Sequence, residues 1–154
     1  MGLDLAAVAA ALPQMVPFVA TMGLEFVALD DDAAVLRLPD EPATRNHVGG
    51  QHAGAVFTLG ETAAGALVLR HFGEHLEHVT PLAMEATIQY LALSRGNVTA
   101  TATMTADPAA VLAELDAGTR PEFDVDVTLR SDGVDDPADP TAVMTVRWTL
   151  RPNR

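Results

Sequence analysis

From about Ala53 to Phe72 the chain is nearly all apolar or small, and Glu61 is the only charged residue between His52 and Arg70. A run of this length that stops near Gly73 reads as one helix. Apolar all round, it is too hydrophobic to lie on a surface, so other elements must wrap it. Gly54, Gly60, Ala64 and Gly65 fit that demand. Each glycine costs about 1 kcal/mol relative to alanine in an exposed helix, and the small side chains make sense if a sheet packs very close. Glu61 then carries a single carboxylate into a poorly solvated place. The run approaches membrane-span length, but Glu61 at its middle and its many Ala and Gly residues make it a core helix.

The flanking sequence supplies the wrapping. Leu3, Leu5, Val8, Ala9 and Leu12 recur near the helical period before Pro13 and Pro17 interrupt, and a short turn or helix ends at Gly23. Leu24–Leu29 and Ala33–Leu38 read as a hairpin about Asp30-Asp31-Asp32. A polar connector over 39–45 leads to the bend at Gly49-Gly50. Beyond the long helix, Met84–Leu93, Val98–Met104, Phe123–Arg130 and Ala142–Leu150 read as strands. Asp107-Pro108 opens a helical insertion that closes at Gly118. The expected architecture is α+β in one domain over residues 1–154, with an N-terminal helical segment over 1–22 and the insertion over 107–118. One long central helix is wrapped by a curved antiparallel sheet.

Composition narrows the function classes. The 154 residues suffice for one domain with a real core, 49% are apolar and 19% charged, and the net charge is −12. That charge argues against nucleic acid and anionic membranes as partners. All nine basic residues are arginine, and an anionic small ligand is compatible only if local arginines or helix N-termini overcome the average field. The absence of cysteine excludes disulfides, thiolate metal ligands and a cysteine nucleophile. The N-terminus lacks the basic region of a signal peptide and carries Asp4, so a cytoplasmic location is expected.

The segment entering the long helix carries a motif. Asn46, Gly49, His52, Gly54, Phe57, Leu59, Glu61, Thr62 and Ala63 match N-x-x-G-x-x-H-x-G-x-x-F-x-L-x-[DE]-T-A, which resembles the signature of the PaaI-type acyl-CoA thioesterases of the hotdog fold. Ile88–Leu91 followed by Ser94-Arg95-Gly96 resembles that family's strand and turn after the helix. The insertion and the Val146-Arg147-Trp148 ending resemble an uncharacterised bacterial subgroup of thioesterase-like hotdog proteins. The resemblance implies that Glu61 is the catalytic carboxylate, as nucleophile or general base toward water. It implies that Asn46 and His52 orient thioester or water from across a subunit interface, and that the Ala53 amide receives the thioester carbonyl. It implies a homodimer at least, with a tetramer open, acting on an acyl-CoA or acyl-carrier thioester. Coenzyme A enters as part of the substrate and no other cofactor is implied. Two positions depart from the family pattern. Ala53 stands where a second glycine is common, and Ala83 stands where some members hold water with a hydroxyl.

Physical chemistry supports those roles and offers alternatives. An apolar helix environment raises a carboxyl pKa toward the working pH, and open N–H groups at Ala53 and Gly54 would stabilise an oxyanion. Glu61 could instead pair with an arginine, His52 could simply cap the helix, and Asn46 could make an Asx-turn. Phe57, Leu59, Met84, Tyr90 and Leu91 could line an acyl pocket or belong to the core. Arg45, Arg95 and Arg120 could meet the phosphates of coenzyme A or be ordinary surface charges. His71, His75 and His78 with Glu74 and Glu77 have ligand-like spacing but lie at and beyond a helix end, and no metal site is assigned. Two rivals to hydrolysis stand. One is a non-catalytic acyl-CoA-binding module. The other is a 3-hydroxyacyl-thioester dehydratase using His47 and Glu61, for which the proline-rich turn usual in that group is missing.

Overall fold

A computed structural model describes residues 2–153; Met1 and Arg154, the ends of the expected domain, lie outside the described residues. The chain begins with α1 (Leu5–Met15), capped by Asp4, whose carboxylate accepts from the Ala7 amide at 2.8 Å. Pro13 was expected to interrupt this helix and instead lies within it. Its missing N–H falls in the last turn, where little helix remains to be broken, and Val16 closes the end by donating to the Leu12 carbonyl at 2.8 Å. Pro17 then opens α2 (Pro17–Thr21) from its first position.

Strands β1 (Glu25–Leu29) and β2 (Ala33–Leu38) form the expected hairpin, with the Asp30 carboxylate accepting from the Asp32 and Ala33 amides at 2.9 Å each. Helix α3 (Ala53–Phe72) follows a 3₁₀ turn at Pro42–Thr44. The remaining elements are β3 (Val79–Tyr90), β4 (Val98–Met104), α4 (Pro108–Asp116), β5 (Glu122–Ser131) and β6 (Pro140–Pro152). The six strands make one antiparallel sheet in the order β1-β2-β4-β5-β6-β3.

β3 begins at Val79, five residues before the expected start at Met84. Pro81, which argues against a central strand, is tolerated because β3 is the sheet's last strand and bonds only to β6. Its other edge is open and carries exposed Leu82, Met84 and Tyr90. Among the described residues no helix is long and apolar enough to cross a membrane.

Helix α3 touches all six strands. Strands about 4.8 Å apart would spread six across about 24 Å, more than twice a helix diameter, so the sheet must curl around α3. Alternation on β4 and β5 turns Ala100, Ala102, Val125, Val127 and Leu129 toward the buried side, against Leu59, Ala63 and Leu67. Closeness is greatest at Gly60, where a Cβ would come within 2.7 Å of Met144 Sδ. Gly60→Val should therefore lower stability by about 1–3 kcal/mol through overpacking. Thermal melts should show this as a loss of several degrees, partly restored by adding Met144→Ala; an unchanged midpoint would contradict the packing described.

Candidate active site

The wrapping of α3 is incomplete. Ala53, Gly54, Phe57, Thr58, Glu61 and Gly65, spaced at three and four residues, form a stripe that is half-buried or exposed, while the positions between them are buried. Of the residues singled out by sequence, Ala53, Gly54, Phe57 and Glu61 fall on this stripe, and Asn46 and His52 lie around its N-terminal end.

That end is built by the loop before the helix. Asn46 folds it: its Oδ1 accepts from the amides of Val48 (3.1 Å) and Gly50 (3.0 Å), and its Nδ2 donates to the Gln51 carbonyl at 3.3 Å. Gly49 has a φ of +77°, a region glycine adopts without strain. Gln51, which sequence reasoning passed over, is only 3% exposed. Its Nε2 donates to the Gly96 carbonyl at 3.0 Å, its Oε1 accepts from the Thr44 hydroxyl at 2.7 Å, and its amide donates to the Ser94 carbonyl at 2.8 Å. It thereby ties the motif loop to the Ser94–Gly96 turn. Its one signal in the sequence was an amide side chain placed between a glycine pair and the motif histidine.

His52 is the N-cap of α3, and its ring Nδ1 accepts from the Gly54 amide at 2.9 Å. An accepting Nδ1 places the proton of the neutral ring on Nε2, leaving that nitrogen as a donor. The amides of Ala55 and Val56 donate to the His52 carbonyl. Of the two amides expected to face an oxyanion, Gly54 is thus engaged by the cap, whereas Ala53 N–H has no partner among the described residues. Tyr90 donates from its hydroxyl to the Ala53 carbonyl at 3.0 Å, fixing this first turn to the edge strand. Burial pushes the Tyr90 hydroxyl above its ordinary pKa.

Glu61 lies eight positions beyond Ala53, which at about 1.5 Å of rise each is about 12 Å along the helix. It is half-buried and makes no hydrogen bond or ion pair among the described residues. Thr58, its neighbour one turn back, is engaged with the Gly54 carbonyl at 2.8 Å. Desolvation therefore acts without compensation and raises the Glu61 carboxyl above the ordinary carboxylate range.

The other expected residues separate. Phe57 shares a groove of about 520 Å³ with Phe18, Met22, Thr44 and His52. Asn46, Ala53, Tyr90 and Leu91 line a second hollow of about 330 Å³ on the other side of the helix start. Leu59 is core. Met84, at a bulge between Ala83 and Glu85, is half exposed on the edge strand. Arg45 is held by Asp40 through two contacts at 2.9 and 3.1 Å, which raises its already high pKa and neutralises its charge. Arg95 has no acid partner among the described residues and lies 3.9 Å from the place of a Cβ on Gly49, directly over the motif loop. Arg120 stands before β5, at the end of the sheet opposite this loop. No group of three His, Asp or Glu residues converges as a metal site among the described residues.

Six antiparallel strands curled about one long helix are the hotdog fold, as the motif implied. The chain belongs to the family described as domain of unknown function DUF4442, whose model matches residues 5–149. It resembles a protein of unknown function from Pseudomonas aeruginosa, described as a "probable thioesterase", with 24% identity, 99% of each chain covered and a TM-score of 0.83. A mutant thioesterase from the same organism is 21% identical over 99% of this chain and 97% of its own, with a TM-score of 0.77. The PaaI protein of the Escherichia coli phenylacetic acid degradation operon is 16% identical over 95% and 91%, with a TM-score of 0.69. None of the curated proteins matches the chain. At these identities the likeness is one of fold.

The raised carboxyl has a consequence for stability. Glu61 holds its proton more tightly in the folded chain than in the unfolded one. Its contribution is therefore full below the ordinary carboxylate value of about 4.3 and is lost as pH rises through the elevated value. Glu61→Gln should raise the melting temperature at pH 8, and the gain should vanish near pH 4. A variant less stable than the parent at pH 8 would show that the carboxylate has a stabilising partner after all.

Proposed function

We propose that the protein is an acyl thioesterase that works as a homodimer, with Glu61 of one subunit facing the α3 N-terminus of the other. The observation that carries this reading is Glu61 itself: an acid with a raised pKa and no partner among the described residues, on the open stripe of an otherwise buried helix. The likeness in fold to proteins described as thioesterases supports it.

Distance supports the homodimer. A reacting carbonyl must lie about 3–3.5 Å from its attacking atom and be held by donors at similar range. Glu61 and the open Ala53 amide of the same chain, about 12 Å apart along the helix axis, do not meet that condition. Two copies with opposed helices would bring Glu61 to the Ala53 amide of the partner subunit. The open edge of β3, with its exposed apolar side chains, supplies a surface for such pairing.

In the proposed reaction the Glu61 carboxylate takes a proton from water as the oxygen attacks the thioester carbonyl carbon. The carbonyl oxygen becomes an oxyanion that accepts from Ala53 N–H, with the His52 Nε2–H as a second donor. Collapse re-forms the carbonyl, breaks the carbon–sulfur bond and expels the thiolate, which takes the proton back from Glu61. Direct attack by the Glu61 carboxylate is the alternative first step: it forms an acyl–glutamyl anhydride as the carbon–sulfur bond breaks and the thiolate leaves. Water then cleaves the anhydride to the free acid and the Glu61 carboxylate, its remaining proton going to the thiolate. Asn46 acts as a positioning residue through its loop, and Arg95, which has no acid partner among the described residues and lies over that loop, meets coenzyme A phosphates despite the chain's net charge of −12.

Thiol release from a panel of acyl-CoA substrates tests the reading. Turnover should fall by about 10²–10⁴-fold in Glu61→Gln, and activity should rise with pH along a limb above the ordinary carboxylate range. The shared site is tested by mixing Glu61→Gln with His52→Asn, a replacement that can still cap the helix. If the halves lie in different subunits, an equal mixture regains about a quarter of wild-type activity by random pairing, because about half of the dimers are mixed and each of those holds one intact site of two. Acyl-CoA binding without thiol release would overturn hydrolysis, and no recovery on mixing would overturn the shared site.

A further inference from the structure

Gly65 sits one helical turn beyond Glu61 on the open stripe and does something that packing does not require. At Gly60 a Cβ would strike Met144 Sδ at 2.7 Å, so glycine there is forced by the sheet. At Gly65 a Cβ would lie 3.5 Å from Trp148 Cη2, an ordinary contact distance. Alanine would fit, and would favour the helix. What the missing side chain leaves is space: Gly65 opens onto a cleft of about 310 Å³ between α1, α3, β3 and β6, whose walls include Leu12, Met15, Val68, Leu69 and Trp148.

We propose, resting on the thioesterase reading above, that this cleft receives the acyl group, and that its preferred occupant is an unsubstituted apolar acyl chain of short to medium length. Three observations define that occupant. First, Gly65 lines the cleft and lies one turn of about 5.4 Å beyond Glu61 on the same open stripe, so an acyl chain whose carbonyl sits at the carboxylate reaches the cleft at Gly65. Second, the lining offers little to a polar substituent. The Thr80 hydroxyl donates to Asn153 Oδ1 at 2.6 Å, and the indole of Trp148 turns its Cη2 and Cζ2 carbons toward Gly65 while its Nε1, the one unpartnered buried side-chain donor among the described residues, is out of reach of solvent. A hydroxyl or charge on the acyl chain would enter with its water removed and nothing to replace it. Third, the volume is at the small end for ligand sites, about 300–1,000 Å³, and at roughly 30 Å³ per water-sized group holds about ten heavy atoms. A helix about 10 Å across would not enter it.

The test is a comparison of kcat/KM across saturated acyl-CoA substrates of increasing length, a 3-hydroxyacyl-CoA of matched length, and two variants. In the wild type, kcat/KM should rise about three- to fourfold per methylene until the cleft is filled, at roughly eight to ten carbons, and then level or fall. The 3-hydroxy substrate should be at least about tenfold poorer than its saturated counterpart. Gly65→Leu, a good helix former, should move the optimum shorter and lower the ratio of long- to short-chain kcat/KM by at least about tenfold. Gly65→Ala should do the same to a smaller extent. Thermal melts establish that both variants fold. Isothermal titration of Glu61→Gln with the same acyl-CoA series, with and without Gly65→Leu, reads the cleft independently of turnover. Length-dependent binding abolished by Gly65→Leu, with no hydrolysis by the wild type, would sink the thioesterase reading and leave the cleft assignment standing. Hydrolysis whose length profile is unmoved by either Gly65 variant would overturn the cleft assignment alone.

Discussion

The contact between one apolar helix and the concave face of one sheet determines the rest of this molecule. Helix α3 brings twenty residues with a single acid among them, and water is excluded from most of its circumference only because all six strands reach it. That closeness depends on small side chains on both sides, Gly60 and Ala63 on the helix and Ala100 and Ala102 on β4. The sheet curls because flat strands would leave much of the helix uncovered, and curling leaves two edges. One of them, β3, is open and exposes Leu82, Met84 and Tyr90.

The same geometry creates the chemistry. A sheet wraps a helix from one side, so a stripe of α3 stays accessible, and Glu61 lies on it. Burial on either flank removes water from the carboxylate, and no cation or donor among the described residues replaces it. The helix start, two turns away, has the opposite character. His52 takes one of its free amides and leaves the Ala53 N–H open. An uncompensated acid and an unpaired donor are each unfavourable alone, and each is what the other needs when a polarised carbonyl stands between them. Their separation along one helix is why the functional reading leads to two chains rather than one.

Much of the fold was legible because it depends on local pattern. The long helix, the hairpin of β1 and β2, strand β4 and the capped insertion at Asp107-Pro108 all have periodicity and punctuation that act within a few residues. The start of β3 was missed because Pro81 disqualifies a central strand, and edge position is a property of the whole sheet. The site was legible as a set of residues and less so as an arrangement. Asn46, His52 and Glu61 stood out from their motif, but spacing alone does not reveal that the Gly54 amide is taken by the histidine or that Arg45 is neutralised by Asp40. The glycines inside the long helix had a single meaning in the sequence, close packing, and acquired two in the structure. Gly60 is pressed by Met144, whereas Gly65 leaves room.

The central claim is that the carboxylate of one subunit and the helix-start amide of another act on the same carbonyl. A crystal structure of the Glu61→Gln protein with a non-hydrolysed acyl-CoA tests this most directly. The expected result is a thioester carbonyl oxygen within hydrogen-bond distance, about 2.7–3.1 Å, of the Ala53 amide of one subunit. The carbonyl carbon should face residue 61 of the other. A ligand whose carbonyl contacts neither group, or meets both within a single chain, would contradict the account.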